Sequence, residues 1–181
     1  MIRIALLEEL DAADLAFLTR NLYRAFGVGT EVAGRRSPPA DVESRDGELD
    51  AVALLTGAAP VRAFADDKVL YVTRAPLSLP PGPLGEPPCW GFAEYGKDRA
   101  LVSTARLPNR GTSEASLDAY QRRLTREAIH VIGHLWDLHH CVDVRCAMHP
   151  SWSPHLPASP EMDLCAFCRE KGERKIRLAK T

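Results

Sequence analysis

The segment HVIGHLWDLHHCVDVRCAM, residues 130–148, concentrates the chemistry of metal binding. His130 and His134 stand four apart, and on a helix such positions lie one turn apart on the same face. Both imidazoles can therefore address one ion. A third nitrogen comes from His140 or His139 once the chain turns near Asp137, and His140 holds the better register. Three imidazoles leave the fourth tetrahedral position of zinc open, as a catalytic site requires. Directly behind them, Cys141 and Cys146 form C-x4-C, and Cys165 and Cys168 form C-x2-C after eighteen intervening residues. Two close pairs across a loop of this length suit a closed, structural zinc–thiolate site. Four thiolates around Zn²⁺ leave net negative charge, and Arg145, Arg169 and Lys171 lie near enough in sequence to soften it. The competing assignment is two redox pairs or disulfides.

All six histidines fall between His130 and His155, and four of the five cysteines between Cys141 and Cys168. In a reducing compartment such clustering favours metal over disulfide. Cys89, away from the cluster, reads as a plain buried thiol. A hydrolytic zinc site also needs a group that takes a proton from water and passes it on, a role worth roughly 10²–10⁴-fold in rate. The position after the first histidine, where a carboxylate would serve, is Val131. Glu127 lies one turn earlier, about 6 Å along the axis, and is the possible substitute. Asp137 is the acid at the other end.

These residues must be positioned by a scaffold. IRIALL (2–7) reads as a first strand. Asp11 can cap a helix to Ala25 or Phe26, with Leu15, Leu18, Leu22 and Phe26 on one stripe and Gly27 as its stop. GTEVAG (29–34) is a short strand and RRSPPADVES (35–44) a loop. A second helix is expected from Gly47 to Thr56, with Leu49, Val52, Ala53 and Thr56 on one face. KVLYVT (68–73) and ALVSTARL (100–107) are strands. Between them, PLSLPPGPLGEPP (76–88) holds six of fourteen prolines; proline lacks a ladder donor, so a long surface loop near the cleft is expected. A long helix runs from about Ser116 toward Asp137, with Leu117, Tyr120, Leu124, Val131 and Leu138 at helical spacing.

The chain has 181 residues, 45% of them hydrophobic and 26% charged, with a formal net charge of −1. That is one domain's worth of ordinary globular sequence, with no balance favouring a nucleic-acid coat or a membrane surface. No secretory leader and no membrane-spanning run are expected, so a cytoplasmic location is. Residues 169–181 carry six basic residues against two acids. No aromatic residues interleave with them, so a solvated terminal helix is expected rather than a nucleic-acid surface.

The motif resembles that of the archaemetzincins, H-E-x2-H-x2-G-x2-H-C-x4-C-x-M followed by C-x2-C, within the metzincin spacing H-x3-H-x5-H. His130, His134, His140, Cys141, Cys146, Met148, Cys165 and Cys168 fall at matching positions, and GFAEYGKDRALVSTARL (91–107) looks like the segment leading into the active-site helix. The resemblance covers roughly residues 90–170. It implies a metzincin-type α+β fold: a mixed sheet packed on helices, a long active-site helix, and a small zinc-stapled subdomain. The expected division is 1–138 for the sheet and active-site helix and 139–181 for the C-terminal part. By the same implication the three histidines hold one zinc, the four cysteines a second, and Met148 is the apolar floor under the imidazoles. The implied activity is zinc-dependent peptide hydrolysis. Two positions depart from the pattern: the glutamate is Val131 and the glycine is Asp137. The expectation is therefore a metallopeptidase impaired or silent for want of its base. The alternative is a non-catalytic relative that binds a peptide or protein in the inherited groove.

Overall fold

The computed structural model describes residues 1–42, 44–61, 64, 66–80, 88–150 and 161–179. The chain runs β1 (Ile2–Leu6), α1 (Ala12–Phe26), β2 (Thr30–Arg35), β3 (Ser44–Arg45), β4 (Glu48–Asp50), α2 (Ala51–Gly57) and β5 (Lys68–Thr73). It continues through β6 (Leu77–Ser78), β7 (Pro88–Cys89), β8 (Gly91–Ala93), β9 (Arg99–Ser103), α3 (Glu114–Leu135) and α4 (Ala166–Ala179). The main sheet has the order β2-β1-β5-β9-β8. Its first four strands are parallel, and β8 closes the edge antiparallel to β9.

Both faces of this sheet are covered, which explains why its central strands are apolar runs rather than alternating ones. Ile2, Ile4, Leu70, Val72, Ala100 and Val102 pack toward α1, α3 and α4. Their neighbours Ala5, Val69, Tyr71 and Leu101 point the other way, onto Leu54, Leu55, Leu77 and Cys89. The period of two along each strand thus assigns each side chain to one of two cores. The α1-side core runs on without a break into Met148, Cys146, Cys168 and Ile176, so the C-terminal segment shares the main core. No helix among the described residues is long and apolar enough to cross a membrane.

The first helix follows the sequence closely: the Asp11 carboxylate accepts from Ala13 N–H, and Gly27 stops the helix at φ 63°. The second does not. Asp50 is its cap, accepting from Val52 and Ala53 N–H, so α2 begins at Ala51. Its buried face is Ala51, Leu54 and Leu55 rather than the expected Leu49–Val52–Ala53–Thr56 stripe. Leu49 belongs instead to β4, which pairs with β3 and β6. The proline-rich stretch is also less irregular than expected at its ends. Leu77–Ser78 and Pro88–Cys89 pair as β6 and β7 in a second, four-stranded sheet of order β3-β4-β6-β7. Pro88 begins its strand, where a missing donor is tolerated; residues 81–87 of the expected loop lie outside the described residues. The strand expected at 100–107 is shorter, ending at Ser103, whose hydroxyl turns to accept from Ala105 N–H and to donate to the Ala75 carbonyl.

Candidate metal centre

The third helix starts under the C-terminal end of β9, where Ser113 caps it by accepting from Ser116 N–H. It runs back beneath the sheet. At its far end the turn after β8 meets it, Gly96 N–H donating to the His134 carbonyl at 2.9 Å. Helix termination there is a complete Schellman turn. Asp137 N–H bonds the His134 carbonyl at 2.9 Å and Leu138 N–H the Gly133 carbonyl at 3.0 Å. Asp137 sits at φ 59°, the left-handed conformation that glycine adopts at no cost and aspartate tolerates better than most. Lys175 Nζ holds its carboxylate at 2.6 Å and, by that hydrogen bond, holds its pKa below the ordinary value.

That turn does more than end the helix. The Leu138 carbonyl lies 2.7 Å from His134 Nδ1, and the Ala147 carbonyl lies 2.9 Å from His130 Nδ1. A carbonyl can only accept, so each Nδ1 carries its proton and each Nε2 presents a lone pair. The two Nε2 atoms are 3.0 Å apart; zinc–nitrogen bonds of ~2.0–2.1 Å at tetrahedral angles would place them about 3.3 Å apart. His140 joins them, with ring centroids 5.2 Å from His130 and 5.1 Å from His134. One nitrogen from each of the three falls in a cluster spanning at most 4.8 Å. Burial, then the charge of its neighbour His134, pulls the pKa of His130 down to about 3. Burial likewise pulls His134 down to about 4 and lowers His140. Neutral imidazoles are the metal-binding form, so the donor set fits zinc.

His139 is taken out of the competition for third ligand. Its ring stacks on Tyr95 at 4.9 Å and 21°, it is 63% exposed, and its Nε2 faces Asp137 at 3.6 Å. Tyr95 also lies against His134, 4.5 Å between centroids, so this tyrosine stands between the cluster histidine and the exposed His139 ring as a shared neighbour. The sequence contained no signal for that role. It did contain one for Met148, which is fully buried and touches the helix at Gly133, where a Cβ would collide with the methionine sulfur.

The four cysteines Cys141, Cys146, Cys165 and Cys168 also converge, their sulfurs all within 4.8 Å of one another. Cys141 Sγ and Cys165 Sγ are 3.9 Å apart and none of the cysteines is bridged. Zinc–sulfur bonds of ~2.3 Å imply a separation of about 3.8 Å, so this donor set fits too. Backbone N–H groups of Met148 and Cys165 both donate to Cys146 Sγ at 3.4 Å. Burial raises the Cys146 thiol to about 11 and raises Cys168 as well. Of the three cations expected nearby, Arg169 is engaged with Asp163 at 2.6 Å. Cys89, buried in the second core, is pushed up to about 12 by burial.

Val131 occupies the key position as an apolar filler. It is 3% exposed, and a Cβ on Gly91 of the edge strand would come within 2.9 Å of its Cγ1 and 2.5 Å of the Leu101 carbonyl. Only glycine at 91 lets α3 and β8 approach so closely. Glu127, one turn earlier, is buried and ion-paired with Arg123, Nε to Oε1 2.9 Å; Arg123 in turn lies over the Trp90 ring at 5.4 Å.

No family model matches the chain. Among curated proteins, the archaemetzincin of Haloarcula marismortui is 27% identical over 84 residues, covering 44% of this chain and 49% of that protein. The archaemetzincin of Archaeoglobus fulgidus is 34% identical over 82 residues, 45% of this chain and 48% of that protein. These matches thus span about half the length of the relatives. One with the archaemetzincin of Pyrococcus furiosus runs the whole way, 27% identical over 97% of this chain and 94% of that protein. Among solved structures, the archaemetzincin of Methanopyrus kandleri superposes with a TM-score of 0.79 at 23% identity, covering 97% of this chain and 94% of its own. A zinc-dependent peptidase from Methanocorpusculum labreanum gives 0.71 at 21%, covering 95% and 100%. The structural likenesses bear out the expected fold class.

Proposed function

Because the chain belongs to the archaemetzincin family, we propose that it is a zinc metallopeptidase in scaffold whose hydrolysis of peptides is impaired or silent for want of a general base. The observation that carries this reading is the pairing of an intact donor set with Val131. His130, His134 and His140 converge, the first two with their Nε2 lone pairs freed by carbonyl partners at Nδ1, while the neighbouring side chain is a buried hydrocarbon. Zinc held there would supply Lewis acidity toward a peptide carbonyl and acidify water. Met148 supports the imidazoles from below, and Tyr95 lies against His134. Val131 can neither take a proton nor deliver one. Glu127 is the substitute on the same helix face, and it serves only if its carboxylate leaves Arg123.

We read Cys141, Cys146, Cys165 and Cys168 as a second, purely structural zinc site, since four sulfurs leave no open position. Residues 1–138 and 139–181 are then two subdomains divided at the Schellman turn, the second dependent on its metal for shape. Its location is taken to be the cytoplasm, where free thiols persist. A peptide is the expected ligand, and the edge of β8 is the place for it. If turnover is absent, the same groove serves a non-catalytic binding role.

The test is a zinc count with a peptide assay. About two tightly bound zinc ions per chain are expected, with one lost in His134→Ala. Slow zinc-dependent cleavage of short peptides that disappears in His134→Ala marks residual catalysis. Peptide binding without cleavage marks the binding role. A wild-type chain that holds zinc only through its thiolates would refute the histidine site.

A further inference from the structure

Arg126 sits on α3 one turn before His130 and is only 5% exposed. Burial lowers its pKa, yet a guanidinium stays charged in a protein, and a buried charge is costly unless hydrogen-bonded. Here the bonds go to backbone carbonyls. Nη1 donates to Arg145 at 3.2 Å and Glu161 at 2.6 Å, and Nη2 to Val144 at 3.2 Å and Cys146 at 2.7 Å. One side chain on the histidine helix therefore grips three consecutive carbonyls of the loop between the second cysteine and the first.

That loop belongs to both clusters. His140 and Cys141 are consecutive, and Cys141 N–H bonds the Met148 carbonyl at 2.9 Å. Cys146 faces the sulfurs, and the next carbonyl, that of Ala147, holds His130 Nδ1 at 2.9 Å. Ala147 N–H is fixed in turn by the Asp163 carbonyl at 2.8 Å. Sulfur ligation would fix both Cys141 and Cys146 to one ion, but it leaves the loop and that site free to shift together relative to α3. The guanidinium removes this freedom by tying the loop to the helix that carries His130 and His134.

We propose that Arg126 is a positioning residue that couples the two metal clusters, transmitting the order of the thiolate site to the imidazole site through the Ala147 carbonyl. The inference rests on reading both clusters as metal sites. Coupling of this kind is reciprocal in binding free energy: filling the thiolate site raises affinity at the histidines, and the converse.

The experiment uses the full chain with Co²⁺ as probe. Thiolate-to-cobalt charge transfer reports the sulfur site, and the ligand-field bands that grow without it report the histidine site. Chelator competition gives each affinity in wild type, Arg126→Gln and Arg126→Lys. Loss of a group that orients a ligand costs about 10–100-fold in metal affinity. That loss is expected at the histidines in Arg126→Gln. The sulfur site fills first, with the histidines still empty, so its affinity carries none of the coupling and stays nearly unchanged; Arg126→Lys recovers part of the loss. Equal weakening of both sites, which mere loss of stability would give, or no weakening at either, overturns the proposal. If Arg126→Gln does not fold, Arg126→Lys is judged by the same ratio of losses. Wild type that takes up cobalt through sulfur alone would instead overturn the histidine site itself, and the coupling with it.

Discussion

Restoring a carboxylate with Val131→Glu separates a framework that lacks only its base from one that has decayed further. The cost follows from the packing. Val131 is 3% exposed and lies against Gly91, so exchanging it for glutamate gives up one buried methyl, about 0.8 kcal/mol. Part of the new carboxylate is also taken out of water, at ~1–3 kcal/mol. At roughly 2–4 °C per kcal/mol for a chain of this size, Tm should fall by about 4–15 °C. The gain follows from the chemistry. A positioned base contributes about 10²–10⁴-fold, or ~2.7–5.4 kcal/mol off the barrier. The assay is zinc-dependent cleavage of a fluorogenic peptide well below the unfolding temperature, with zinc content and Tm measured on the same sample. A rise in kcat/KM of that order is expected. A folded, fully loaded variant with less than about a tenfold gain would refute the reasoning, because the histidine framework would then be insufficient. So would a wild-type chain already as fast, which would place the base elsewhere.

Gly133→Ala should lower Tm and weaken metal binding at the histidines together, because its Cβ collides with the buried Met148 sulfur. Overpacking of this kind costs about 1–3 kcal/mol, measurable by urea denaturation, and an unchanged midpoint would contradict the contact. Asp137→Gly relieves a left-handed residue at φ 59° and loses a half-exposed carboxylate that faces Lys175 and His139. A Tm unchanged or raised by a few degrees is expected, and a large fall would show that the ion pair matters more than the turn. In the metal-free chain His130 and His134 have folded-state pKa values depressed to about 3 and about 4. Depression means that the unfolded state binds more protons below the ordinary value. The stability from keeping them neutral is complete above pH ~6.5 and is lost as pH falls toward ~4 for His134 and ~3 for His130. At pH 5 the loss is about 2 kcal/mol per histidine, visible as a pH-dependent urea midpoint. Imidazoles that titrate near pH 6.5 by NMR would remove the basis for it.

Much of the site is legible in the chain because its spacing is local. His130 and His134 share a face through helix geometry alone, and the helix that carries them was found within two residues at each end. Both cysteine pairs are close in sequence, and Asp11 and Gly27 are read off as cap and stop with no knowledge of the rest. Where long-range pairing decides, the sequence was silent or misleading. The three residues of β8 are too few to stand out, and β4 exists because its residues pair with Ser44–Arg45 on one side and Leu77–Ser78 on the other, which moved the start of α2 and its buried face. His140 joins the cluster, while His139 stacks on Tyr95, more than forty positions earlier. The proton on His130 and on His134 is set by the carbonyls of Ala147 and Leu138. Every residue has a carbonyl, so no residue type announces that role, and only the folded backbone aims it. The ligands themselves are residue types and can be spelled in sequence; the orientation that turns them toward one point belongs to the tertiary structure.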